Sequence, residues 1–237
     1  MKFGLFLLLG ASLVLACLGP ANAVLEPHDP ISILGNDSFL RPDSGVRFGS
    51  GTENDPYVIK NWIISASNGN GIHIGNTTAY FIIRNCWIEN GKDLGYEGIW
   101  LDNVRNGRVE NCVVKNNRIA LWIVSSSNIV AGNNQFENTS QWEISCTGSN
   151  SIRIYSSNVQ TEDSVDGGIL IQDSYDVRIE NSIIEANSKS GSIVLQASQG
   201  QAENLVVQNC RVGPLDERGC RPIKGNFSKF RVDSCFF

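Results

Sequence analysis

Three groups of side chains in this 237-residue chain have types and spacings that can do chemistry. Carboxylates gather twice, as Asp93, Glu97 and Asp102 and as Glu162, Asp163 and Asp166. Acid–base catalysis needs two or three such groups converging on one cleft, with one pKa displaced. The second group also offers clustered hard oxygen ligands, which suit a weakly held calcium ion. Aromatic and polar residues form another group: His73, Trp100, Trp122 and Glu143 each stand between apolar neighbours in GIHI, GIWL, LWIV and QWEIS. Exposed in a row, such residues can stack on sugar rings and hydrogen-bond their hydroxyls. The alternative is packing, under loop 91–97 with Tyr96 or against another subunit. The third group is cysteine, seven in all. No Cys-x-x-Cys spacing occurs and only His28 and His73 can assist, so a thiolate–imidazole metal site is poorly supplied.

A repeat names the elements that must position these groups. The phrase IIRNCWIENG, residues 82–91, returns as RVENCVVKNN, RIENSIIEAN and VVQNCRVGPL. Aligned on its turn residue it occurs at Asn61, Asn85, Asn111, Asn133, Ser156, Asn181, Asn209 and Ser234, 22 to 28 residues apart. The residues two before and three after each anchor are apolar throughout, and only Ala131 among them is small. Polar residues fill most places between, which is the period-two pattern of strands with one buried face. At the anchor the alternation skips a beat. The chain must bend there, and Asn best tolerates the left-handed backbone that such a bend needs.

A repeat of this length without helical periodicity cannot close a core alone, so copies must stack and share one. A propeller blade needs about 40 residues, and a leucine-rich repeat needs a Leu and Asn frame that is absent. The pattern therefore predicts an all-β, single-domain, right-handed parallel β-helix of about eight rungs over residues 57–237, with an N-terminal cap segment at 24–56.

Rung geometry sorts the candidate groups. The two carboxylate groups fall three rungs apart, about 14 Å at a strand spacing of about 4.8 Å, so they cannot form one constellation. Trp100 and Trp122 each precede the next anchor by eleven residues. They are expected in one outward column, with His73 and Glu143 in comparable places on the flanking rungs. Cys86, Cys112, Cys210 and Cys235 each follow an anchor and face inward, Cys86 one rung below Cys112 and Cys210 one rung below Cys235. Their Cα atoms fall within disulfide range while parallel Cβ atoms sit slightly too far apart for a relaxed bridge. Buried thiols acting as small apolar fillers are the favoured reading. Disulfides pinning the coil, with Cys146 or Cys220 as further partners, are the alternative.

Residues 1–23 have the basic start, apolar run and Ala21-Asn22-Ala23 triplet of a secretory signal peptide, whose removal leaves six cysteines. Cys17, in a lipobox-like Val-Leu-Ala-Cys, is a less favoured lipid-anchor site. Sequons at Asn36, Asn76, Asn138 and Asn226 fit an exported chain. A net charge of -5 gives no footprint for a nucleic-acid backbone.

The phrases VIKNWII, FIIRNCWIENG, GIWLDN, RVENCVV and RIENSII, with GSGTENDPYVIKN before them, resemble the repeats of the pectate-lyase-like superfamily. They are most similar to its small NosD-like or carbohydrate-binding-and-hydrolysis type over residues 45–237. The resemblance implies the β-helix but spans lyases, hydrolases, binding proteins and structural members. Its lyases pair acidic calcium ligands with a basic residue and its hydrolases group Asp residues, and no motif here receives those roles. Copper delivery would need soft or imidazole ligands, against one Met and two His. The expectation is a secreted or cell-surface module, non-catalytic, binding a polysaccharide or cell-envelope glycan, or serving structurally, without a cofactor unless calcium. The alternatives are a polysaccharide lyase or glycoside hydrolase acting on acidic glycans, and an end-to-end self-assembling surface protein. The last rests on VDSCFF, which falls inside the eighth copy and leaves a rung whose ladder groups face water, to be covered by a homo-oligomer through the C-terminal rung or by a loop such as 213–226.

Overall fold

The computed structural model describes residues 24–161, 166–186, 191–197, 203–213, 223–225 and 230–235. The signal segment, Cys17, Glu162, Asp163, Cys220 and Asn226 lie outside the described residues. The chain winds into a right-handed three-sided coil of parallel strands, about six complete turns long. Among the described residues sheet A holds eight strands, from Glu26–His28 and Trp62–Ser65 to Arg211–Gly213. Sheets B and C are continuous with each other, because the twelve-residue strand Ile99–Glu110 serves B with its first half and C with its second.

Three apolar stacks fill the prism. Sheet C contributes Ile59, Ile83, Val109, Ala131, Ile154, Ile179 and Val207, and sheet A contributes Ile64, Ile88, Val114, Phe136, Val159, Ile184 and Val212, all fully buried. These are the two columns flanking the repeat's anchor. Sheet B adds Ile72, Ile99, Leu121, Ile144, Ile169 and Ile193 in register.

Every anchor is left-handed, from φ 48 at Ser156 to φ 61 at Asn61. Asn85 donates its amide to Asn61 Oδ1 at 2.8 Å, and Asn209 donates likewise to Asn181 at 3.3 Å. Three further columns of left-handed corners were not read from the repeat: Asn76, Asn103, Ser125 and Asp173; Asn106, Asn128, Ser151, Asp176 and Asn204; and Asn90, Asn116 and Asn138.

Bends at the C–A and B–C corners turn backbone amides into the core, and the next rung answers them. Cys112 N–H donates to Asn134 Oδ1, Asn134 N–H to Ser157 Oγ, and Ser157 N–H to Ser182 Oγ, at 2.9 to 3.3 Å. At the B–C corner, Val104, Ser126 and Ser149 donate their amides to the hydroxyls of Ser126, Ser149 and Ser174 in the same way. A buried amide without such an acceptor is costly, which explains two internal columns of polar residues.

The cysteines occupy the same column. Cys86, Cys112, Cys210 and Cys235 are free, and each directs its thiol to the carbonyl two residues earlier, as Ser157 and Ser182 direct their hydroxyls. Cys146 belongs to sheet B, in register with Ile123 and Ile171, and burial pushes its thiol up to about 12. Burial likewise holds Cys112 well above the usual thiol range.

The segment 24–56 does more than cover an end. Glu26–His28 and Ile31–Leu34 pair with Trp62–Ser65 and Ile72–Thr77, making two sides of an initial rung. Its third side is closed by Val46–Phe48, antiparallel to Tyr57–Lys60. Phe39 is buried against Tyr57 and Phe81, with centroids at 4.5 and 5.9 Å. Among the sequons, Asn36, Asn76 and Asn138 are exposed. The Asn138 amide is already bonded to Asn116, so a glycan there would replace a rung-to-rung bond.

Two outcomes follow from the corner chemistry. Asn85→Ala meets the left-handed penalty and loses the bond to Asn61, so urea denaturation should show a loss of about 2 kcal/mol, with Asn85→Gly losing less. Cys112→Ser should melt within about 1 kcal/mol of the parent, because serine already serves this column. A loss of about 3 kcal/mol would contradict that equivalence.

Candidate functional site: an aromatic ladder beside four loops

Turns into sheet A are tight, each built on one left-handed residue. The connections from sheet A to sheet B differ in length, spanning residues 66–71, 90–98, 116–120 and 138–141 in the first four coils after the cap. Individual side chains can therefore change beside sheet B without moving the core.

On the outer face of sheet B, His73 is in register with Trp100 and Trp100 with Trp122. The rings stack: His73 on Trp100 at 3.9 Å and 6°, Trp100 on Trp122 at 5.2 Å and 16°. All three are half-buried. Their faces are turned to one another along the coil axis, so ring edges form most of the outward surface. The expected platform of open ring faces is thus a ladder seen edge-on.

Glu143 is not part of it. Register sets Ser145 beside Trp122, and Glu143 lies two residues earlier, fully buried, with Oε1 accepting from Thr139 N–H at 3.1 Å. The cause is a run of four buried residues, Glu143 to Cys146, at the strand entry. Both faces are covered there, so counting from apolar neighbours misplaces the carboxylate.

A polar rail runs alongside, with one residue from each connection. Asn70 Oδ1 accepts the Glu97 amide at 2.9 Å, the Arg118 guanidinium grips both Glu97 oxygens, and Arg118 Nη1 donates to Gln141 Oε1 at 3.4 Å. Arg118 also lies 5.4 Å from the Trp122 ring centroid, joining rail to ladder. Glu97 is 3% exposed and Arg118 33% exposed, so the pair presents a guanidinium over a covered carboxylate. Burial raises the Glu97 carboxyl above its ordinary range, with Arg118 opposing. Asn70, Arg118 and Gln141 were not foreseen, since nothing in their spacing marks them. A clue was available in Arg118, four residues before Trp122.

The other candidates disperse. Asp93 is exposed in the short 3-10 turn Lys92–Leu94, Asp102 faces outward between Gly75 and Val124, and Asp166 is half-buried on a later coil. Among the described residues no three His, Cys, Asp or Glu side chains converge as a metal site. His73 Nε2 and Trp100 Nε1 are buried and find no hydrogen-bond partner among the described residues. Burial lowers the His73 pKa from its ordinary 6.5, with Asp102 opposing.

A three-sided parallel coil with this interior defines a β-solenoid. The family model for the right-handed β-helix region matches residues 44–233, and the chain belongs to that family. Solved structures of the same fold include a mutant of the periplasmic alginate epimerase AlgG, with 13% identity, TM-score 0.62, and coverage of 76% of this chain and 45% of that one. PfbA, a surface adhesin of Streptococcus pneumoniae, matches with 14% identity, TM-score 0.55, and coverage of 90% and 63%. The mannuronan C-5 epimerase AlgE6 A-module of Azotobacter vinelandii matches with 12% identity, TM-score 0.54, and coverage of 76% and 63%. The chain thus spans between 45% and 63% of the length of these structures. No curated protein matches by sequence.

The His73 shift has a definite sign. A depressed pKa means that the unfolded chain binds the proton first, so stability is full above about 6.5 and falls as pH drops towards the folded value. Denaturation between pH 7.5 and 5 should show this loss in the parent and a reduced slope in His73→Gln. Equal slopes would mean that His73 is not the group responsible.

Proposed function

We propose that this chain is a carbohydrate-binding β-helix working outside the cytoplasm, with the sheet B ladder and its rail as the binding face. The observation that carries the reading is the juxtaposition of His73, Trp100 and Trp122 with Asn70, Glu97, Arg118 and Gln141. A rigid apolar edge beside fixed amides and a guanidinium suits an extended, hydroxyl-rich chain, and the guanidinium favours carboxylated sugars. Mutual stacking holds the rings before a ligand arrives, which reduces the ordering cost of binding. Structural neighbours that include alginate epimerases and a surface adhesin support a glycan partner and an exported setting. Among the described residues, no helix is long and apolar enough to cross a membrane.

Lyase or hydrolase action on an acidic glycan is the second reading, favoured by the raised carboxyl of Glu97. Against it, that carboxylate is held by Arg118 and nearly covered, and the free nitrogen of His73 is buried. A proton-transfer group must reach its substrate. End-to-end assembly is disfavoured at the N-terminal end, where Phe39 and Val46–Phe48 cover the coil.

A glycan array followed by calorimetry tests the proposal. The parent should retain at least one polysaccharide and the Trp100→Ala/Trp122→Ala double variant should lose about tenfold or more in affinity, without release of reducing ends or unsaturated uronates. Undiminished binding by a folded double variant removes the ladder from the site. Released product moves the protein to the enzymatic reading.

A further inference from the structure

The geometry points to a second carbohydrate pocket on the outer face of sheet C, built for one or two acidic hexose rings and separate from the ladder. A cavity of about 420 Å³ lies there, within the range of small-ligand sites. Its floor is the outward column Ile82, Arg108 and Val130, in register across three rungs. Tyr80 and Asn128 wall it, and Glu53 stands at its rim.

The wall that carries Glu53 is built into the fold. Loop 49–56 is tied internally, with Ser50 N–H and Thr52 N–H both donating to Asp55 O and Asp55 N–H returning to Thr52 Oγ1. Tyr80 N–H donates to Gly51 O at 2.9 Å, clamping the loop to the sheet. The clamp needs glycine, since Gly49 has φ 104 and a Cβ there would stand 1.9 Å from Pro56 O. The pocket is therefore shaped before any ligand enters.

Its groups fit a sugar acid. The Arg108 side chain is 52% exposed and pairs with Glu110 through one terminal nitrogen, leaving most of its five donors for a ligand carboxylate. The corner amides run in one direction, from Asn128 Nδ2 to Asn106 Oδ1 and from Asn106 Nδ2 to Thr78 O. That leaves Asn128 Oδ1 as an acceptor at the open end. Asn128 and Glu53 can take hydroxyl hydrogens while the Tyr80 ring and Ile82 lie against the sugar's C–H faces. One guanidinium opposite a rim carboxylate suits a ligand anionic at one end and hydroxylated at the other. It does not suit a fully anionic or wholly apolar one.

The test is a titration of the isotopically labelled chain with glucuronate, galacturonate and their dimers, with glucose and galactose as neutral counterparts, read by backbone amide shifts. A uronate should give saturable shifts clustered at residues 53, 80–82, 106–108 and 128–130. The neutral sugars should bind about tenfold more weakly, and Arg108→Gln and Tyr80→Ala should each lose about tenfold. Tyr80→Ala decides the matter if removing the Arg108 charge disturbs Glu110 and the fold. No saturable shift with any uronate overturns the inference. So does equal binding of neutral sugars, or a shift cluster at residues 73, 100 and 122 in its place.

Discussion

The backbone amide that the left-handed corners on either side of sheet C turn into the core is the constraint on which this molecule depends. A strand can satisfy its polar groups through the rung on either side, but a corner breaks the ladder and leaves a donor in a dry interior. Here the acceptor comes from a small side chain one rung on: Asn134, Ser157 and Ser182 at one corner, Ser126, Ser149 and Ser174 at the other. This locks register, because a slip of one residue would remove every acceptor and turn the apolar stacks outward together. The cysteines belong to the same solution. Their thiols make the serine contact to the carbonyl two residues earlier.

The same constraint decides where difference can accumulate. A corner of one left-handed residue tolerates neither insertion nor a large side chain, whereas the connections into sheet B vary in length after the left-handed residues Asn90, Asn116 and Asn138 that open them. The Asn70–Glu97–Arg118–Gln141 rail takes one residue from each of four successive connections. Its members converge because the coil stacks those connections, not because they are close in sequence. The rim of the sheet C pocket is likewise formed by a loop that precedes the first regular coil, held against the sheet by the Tyr80 amide.

What the sequence made legible follows from this division. The left-handed anchors recur from Asn61 to Ser234, and counting from them located the two apolar columns through Asn209, whereas Val232 beside the last anchor is 37% exposed and Phe237 lies outside the described residues. The outward register of His73, Trp100 and Trp122 was legible for the same reason. Glu143 was misplaced because the ladder register falls on Ser145, two residues on, and burial is continuous from Glu143 to Cys146, neither of which a parity count can see. Asn70 and Gln141 were invisible, and Arg118 was marked only by its place four residues before Trp122, because a loop residue acquires its neighbours from stacking, which no periodicity encodes. Ring orientation was likewise beyond reach. A parity count tells which way a Cβ points, while χ angles are set by packing.

Ring orientation also alters how the ladder can contribute to binding. An isolated exposed tryptophan offers two faces to a sugar. In the ladder those between rings are occupied, each pair worth about 0.5–1.5 kcal/mol to the fold. What remains is a straight, stiff edge with its nitrogens partly covered, bordered by an Arg118 fixed at one end by Glu97 and at the other by Trp122. On the proposed reading such a surface would contribute through pre-organisation and length, not through deep enclosure, and would match a polymer laid along the coil better than a single sugar. The sheet C cavity has the opposite character, being walled and short. One rigid prism can hold both because its faces share a core yet turn independent surfaces to solvent.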